Sequence, residues 1–109
     1  MPVVGSITVL KKEKEGDLIK LTIKTTGGKV SVKDVLIVEH SGGYNRCEIQ
    51  EIQVDGEYRI EVRHPEDSDI TVYIAITGQS AKEGAKYRVE DQWVEKHKVN
   101  QFRVAKSPI

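Results

Sequence analysis

Cysteine is nearly missing from this chain. Cys47 stands alone, so no disulfide can form within it and the fold does not depend on an oxidising compartment. In a strand context such a residue reads as a small buried hydrophobe, with a reactive thiol as the alternative. Charge of one sign is missing too: 17 lysines and arginines face 17 aspartates and glutamates. No global field draws the chain to nucleic acid or to an anionic membrane. Long hydrophobic runs are also absent. The longest are Val35-Leu36-Ile37-Val38 and Val72-Tyr73-Ile74-Ala75-Ile76, far too short to cross a bilayer, and no membrane insertion is expected. The first residues, Met1-Pro2-Val3-Val4-Gly5-Ser6, lack the basic start and apolar run of a signal peptide. A cytoplasmic chain and a secreted one with its leader removed fit equally well. Aromatics are few: four tyrosines, one tryptophan and one phenylalanine.

What is present is period-two alternation. Ile19, Leu21 and Ile23 alternate with Lys20, Thr22 and Lys24. Tyr58, Ile60 and Val62 alternate with Arg59, Glu61 and Arg63. Ile70, Val72, Ile74 and Ile76 alternate with Thr71, Tyr73, Ala75 and Thr77. Each set places aliphatic side chains on one face of a strand and polar or smaller ones on the other, as an antiparallel sheet with one solvated face requires. Ile7 and Val9 start a strand that runs into Lys11-Lys12-Glu13-Lys14-Glu15, a solvated strand end, before Gly16-Asp17 turns the chain. The apolar run at 35–38 suggests a strand covered on both faces, or a phase-shifting bulge near Asp34. A second phase slip, between Ile49 and Ile52, predicts a bulge near Gln50-Glu51.

Glycines supply the punctuation. Gly27-Gly28 reads as a hairpin turn, and Ser41-Gly42-Gly43 as a flexible one. Asp55-Gly56 separates two strand patterns. Opposed residues share a face, so a two-residue loop would set Ile52 against Arg59. A three-residue loop sets Ile52 against Tyr58, which predicts a type I turn with Gly56 left-handed in a bulge. Pro65, in His64-Pro65-Glu66-Asp67-Ser68-Asp69, stops the strand before it. From Gly78 onward two patterns compete. Ser80-Ala81-Lys82-Glu83 matches a capping box, and Ala81, Ala85, Val89 and Trp93 recur at helical spacing, which allows a helix near 80–97. Gly84 and the alternation at Tyr87, Val89, Phe102 and Val104 favour a turn followed by two strands. Seven or eight strands with turns every 8 to 12 residues predict one domain over 1–109, an antiparallel β-sandwich of the immunoglobulin-like or fibronectin type III-like kind.

Chemistry-bearing motifs do not emerge. His40, His64 and His97 each stand alone, with no zinc spacing. Glu39-His40-Ser41 holds the residue types of a nucleophile and base, but neighbours on a strand point to opposite faces. Glu66-Asp67-Ser68-Asp69 lacks the glycine and distal glutamate of a calcium loop. No cofactor and no metal are expected. Tyr58 and Tyr87 fall in phase with core positions. Tyr73 belongs to the uncharged row Thr71, Tyr73, Ala75 and Thr77, which can face solvent, a second sheet or another subunit. Tyr44 beside a Gly-Gly turn and Trp93 in a charged stretch are candidates to stack on a sugar or anchor a protein contact.

The stretch Val72 through Gly78, with Tyr87-Arg88-Val89-Glu90 and Lys98-Val99-Asn100, resembles strands of the fungal immunomodulatory proteins, which implies a fibronectin-type sandwich. It covers under a third of the chain, the N-terminal helix of that family has no counterpart, and no function is carried over. The leading expectation is a non-enzymatic protein-interaction or self-assembly module, using Tyr44, Tyr73 or Trp93 as binding residues. The alternative is a carbohydrate-binding module or lectin, with Asn45, Arg46 or Gln92 as polar partners of Tyr44 or Trp93. An enzyme assembled from distant residues, among them the three histidines and the acidic turns, is the third reading.

Overall fold

The computed structural model describes residues 3–75 and 81–91. Eight strands follow in chain order: β1 (Val3–Glu15), β2 (Leu18–Ser31), β3 (Val35–His40), β4 (Gly43–Val54), β5 (Glu57–Arg59), β6 (Glu61–Arg63), β7 (Ile70–Ala75) and β8 (Lys86–Glu90). Every pairing is antiparallel. Around the sheet the order is β1, β8, β3, β4, β7, β2, and β2 pairs again with β1. The sheet therefore closes into a six-stranded barrel. The two short strands lie outside the ring, β5 on β4 and β6 on β2. The expected sandwich, and the fibronectin-type architecture implied by the resemblance, are thus corrected: the protein is all-β, but its main sheet is one closed surface. No helix among the described residues is long and apolar enough to cross a membrane.

Alternation alone cannot separate the two architectures, because each buries one face of every strand. Closure comes from the two long strands. β1 gives its first half to β8 and nearly its whole length to β2, while β2 gives its first half to β7 and its end to β6. Such long strands must bend, and bulges between Ser6 and Ile7 and between Val9 and Lys11 supply the bend. Gly5 and Gly28 face each other there. A Cβ on Gly5 would lie 2.1 Å from the Lys29 carbonyl oxygen, and one on Gly28 would lie 2.1 Å from that of Val4. Gly28 also holds φ of 64°. These glycines permit a close approach of two strands. The hairpin turn expected at Gly27-Gly28 does not exist, and β2 runs through it.

The interior is filled by Ile7, Val9, Ile19, Leu21, Ile23, Leu36, Val38, Cys47, Ile49, Ile52, Val72, Ile74 and their neighbours. Cys47 is 1% exposed, as expected of a small core residue. Val35, Leu36, Ile37 and Val38 are all buried, so β3 is covered on both faces. The predicted slip in β4 is present: the register with β7 shifts between Ile49 and Glu51.

The Asp55-Gly56 loop differs from expectation. Val54 pairs with Glu57 and Ile52 with Arg59, a two-residue loop with positive φ at both Asp55 (51°) and Gly56 (83°), the type I′ arrangement. A three-residue loop would be favoured only if β5 had a core face. It has none: Glu57, Tyr58 and Arg59 are all exposed. Tyr58, expected in the core, is 74% exposed, whereas Tyr87 is buried as expected. Near the other end of the chain, a turn at Glu83-Gly84 leads directly into β8. A helix spanning 81–97 is therefore excluded across 86–90. Ser80, Thr77, Trp93, His97 and the alternation at Phe102 and Val104 lie outside the described residues.

Candidate functional site

The structure does not gather the residues singled out from sequence into one place. Tyr44 begins β4, and the guanidinium of Arg46 lies 4.7 Å from its ring centroid and donates to its hydroxyl at 2.7 Å. One ring face of Tyr44 is therefore occupied by its own strand neighbour. Tyr73 lies half-buried on the outside of β7, opposite Lys20 on β2 and Glu51 on β4. Glu51 is about 23 Å along β4 from Tyr44 at the usual rise of a strand, so the two tyrosines do not share a patch. Trp93 lies outside the described residues.

The histidines are also separate. His40 ends β3, and its Nδ1 accepts from the Gly42 backbone N–H at 3.1 Å. His64 follows β6, with Nδ1 3.2 Å from the hydroxyl of buried Thr25. Glu66 accepts from the Ser68 N–H at 3.3 Å, which holds the acidic turn closed on itself. Among the described residues no group of three histidine, cysteine or carboxylate side chains is placed to hold a metal ion.

Two shallow grooves mark the outer wall. One, of about 210 Å³, is lined by Ser6, Ile37, Glu39, Lys86, Tyr87 and Arg88. The other, of about 240 Å³, runs from Leu10 and Lys24 to the acidic turn. Both are smaller than the roughly 300–1,000 Å³ of ordinary ligand pockets. In the first, Arg88 pairs with Glu39, and its Nε donates to Glu90 at 3.2 Å. Burial alone would lower the Arg88 pKa, but these two carboxylates outweigh it and raise it, so the side chain stays cationic with its charge already matched.

A different feature stands out at the end of the barrel, where the outer strands sit. Tyr58 on β5 is 74% exposed, and Ile60, at the bend between β5 and β6, is 79% exposed. Val54 and Glu57 flank the two-residue loop and form its hydrogen-bonded pair. Bonded and non-bonded pairs then alternate along the hairpin, so Gln53 and Tyr58 form a non-bonded pair. The N–H and C=O of Tyr58 therefore point away from β4, and neither makes another hydrogen bond among the described residues. Among the described residues this is an open strand edge with two large apolar side chains beside it. The sequence pattern hid it, because Tyr58 and Ile60 are in phase with buried Val62. The cue was Asp55-Gly56, whose preference for a tight two-residue turn argued for Ile52 opposite Arg59 from the outset.

β6 anchors this edge to the barrel. Val32 donates to the Ile60 carbonyl at 2.9 Å, and Val62, fully buried, sits opposite Val30. Glu61 accepts from Arg63 Nε at 2.7 Å, Lys29 Nζ at 3.4 Å and Ser31 Oγ at 3.3 Å. Desolvation pushes the Glu61 carboxyl up, but Arg63, Lys29 and Ser31 together outweigh it and hold its pKa below the ordinary value.

No protein-family model matches this chain, and no curated protein sequence matches it.

Proposed function

We propose that this domain is a non-enzymatic interaction module that takes an extended polypeptide segment onto the open edge of β5. Main-chain hydrogen bonds to Tyr58 would supply affinity, and apolar contacts with Tyr58 and Ile60 would supply selectivity, as in other additions of a strand to a sheet edge. The observation that carries the reading is the pairing of an outward-facing Tyr58 backbone with side chains 74% and 79% exposed on an otherwise charged surface. Aromatic and aliphatic side chains so placed are the ones that anchor protein contacts.

Selection of linear peptides from a displayed library against the immobilised domain tests this reading. The parent domain should enrich extended, apolar peptides that the Tyr58→Ser/Ile60→Ser variant does not retain. Equal enrichment on parent and variant would remove β5 as the binding edge.

A further inference from the structure

We infer that the segment taken up at this edge is β5 of a second copy of the same chain, paired antiparallel about a two-fold axis at Tyr58. The inference rests on the reading of β5 as the binding edge. Three properties of Glu57-Tyr58-Arg59 support it.

The first is hydrogen-bond parity. Strands join only where outward-pointing backbone groups oppose one another. On β5 that position is Tyr58, flanked by Glu57 and Arg59, which are bonded inward to β4. A two-fold register centred on Tyr58 sets its N–H and C=O against those of its copy and forms two reciprocal hydrogen bonds.

The second property is charge. In that register Glu57 of each copy lies opposite Arg59 of the other, so two unlike pairs form by symmetry. The neighbouring registers do the reverse. Centring on Glu57 opposes two glutamates. Centring on Arg59 opposes two arginines. Within the three residues of β5, only the register centred on Tyr58 opposes unlike charges; just outside the strand it sets Asp55 opposite Glu61, whose carboxylate is already paired with Lys29 and Arg63. Neither Glu57 nor Arg59 has an ion-pair partner in its own chain among the described residues.

The third property is side-chain fit. Tyr58 would meet its own copy as a cross-strand aromatic pair, with the exposed side chain of Ile60 beside it. β5 has only three residues, so the contact is of the small, transient class.

Sedimentation of the full chain over roughly 10 µM to 1 mM, the span in which such a contact dissociates, tests the inference with two charge reversals. The parent should shift toward dimer with concentration. Glu57→Arg and Arg59→Glu each replace two unlike pairs with two like ones and should weaken association about tenfold. An equimolar mixture of the two restores both unlike pairs and should regain the parent's association as a heterodimer. Both positions are exposed, and circular dichroism of each variant checks that the barrel is retained. A parent that stays monomeric throughout would overturn the second-copy inference, while peptide selection on the parent would still uphold the edge. Reversals that leave the dimer unchanged, or a mixture without rescue, would place the contact elsewhere and overturn it as well.

Discussion

Two strand edges among the described residues, those of β1 and β5, are built in opposite ways. The distal half of β1, from Leu10 to Glu15, lies beyond the reach of β8, which pairs only as far as Thr8. It carries Lys11, Lys12 and Lys14, and the outward N–H of Lys12 donates to the Glu83 carboxylate at 2.9 Å. Three residues before Lys12, the Val9 carbonyl accepts from Gly84 N–H and the Val9 N–H donates to the Ala85 carbonyl. Lysines and a capping carboxylate discourage another strand from docking. The edge of β5 has neither device. Its outward residue is a tyrosine with an isoleucine beside it, and its charges alternate in sign so that they complement a copy of themselves. On the proposed reading, the edge left open among the described residues is the one through which the chain makes contact.

The comparison can be broken most forcefully at the frame both edges share. Gly28→Val would drive a Cβ into the Val4 carbonyl at a positive φ. Overpacking and left-handed strain together should cost roughly 2–5 kcal/mol, read as a lower urea midpoint. The comparison can then be inverted. Lys12→Thr, Lys14→Val and Glu83→Ala together strip β1 of its protection, and light scattering should show a new, concentration-dependent association that the parent lacks at that edge. A smaller effect is expected from Tyr58→Ser/Ile60→Ser. Both side chains are exposed, so stability should move by no more than about 0.5 kcal/mol while association is lost.

The smallest effect concerns pH. Glu61 has a lowered pKa in the folded state, so its contribution is present above the unfolded pKa and is lost as pH falls through the folded one. Acid should loosen β6 from β2 and with it the base of the β5 edge. Glu61→Gln should lower neutral stability slightly, because exposed ion pairs contribute little, and converge with the parent in acid, which flattens the acid limb of the thermal-stability profile.

Much of the barrel was legible in the sequence, and the rest was hidden for physical reasons. The interior positions of β2, β4 and β7, the slip after Ile49 and the buried run of β3 follow from side-chain alternation, which local chemistry dictates. Closure does not, because it depends on how far β1 and β2 continue past their glycines. Gly27-Gly28 has the composition of a turn, yet it serves a close approach of two strands. Tyr58 and Ile60 carry the alternation of a core strand, but no second layer covers β5 among the described residues. Polarity pattern records what a strand can bury; it does not record whether anything arrives to cover it. Tyr44 is expected to bind from its place beside a Gly-Gly turn and Tyr73 from its uncharged row, and Arg46 over the ring in one case and half-burial in the other alter what they can offer.

Residue-resolved amide hydrogen exchange at low and high protein concentration distinguishes the two edges. Tyr58 and Lys14 both point their N–H groups outward, one from each edge. The Tyr58 amide should exchange more slowly as concentration rises, while the Lys14 amide should not change. Slowing at Lys14 instead, or an unchanged Tyr58 amide in a sample that has dimerised, would contradict the assignment of β5 as the edge through which the chain associates.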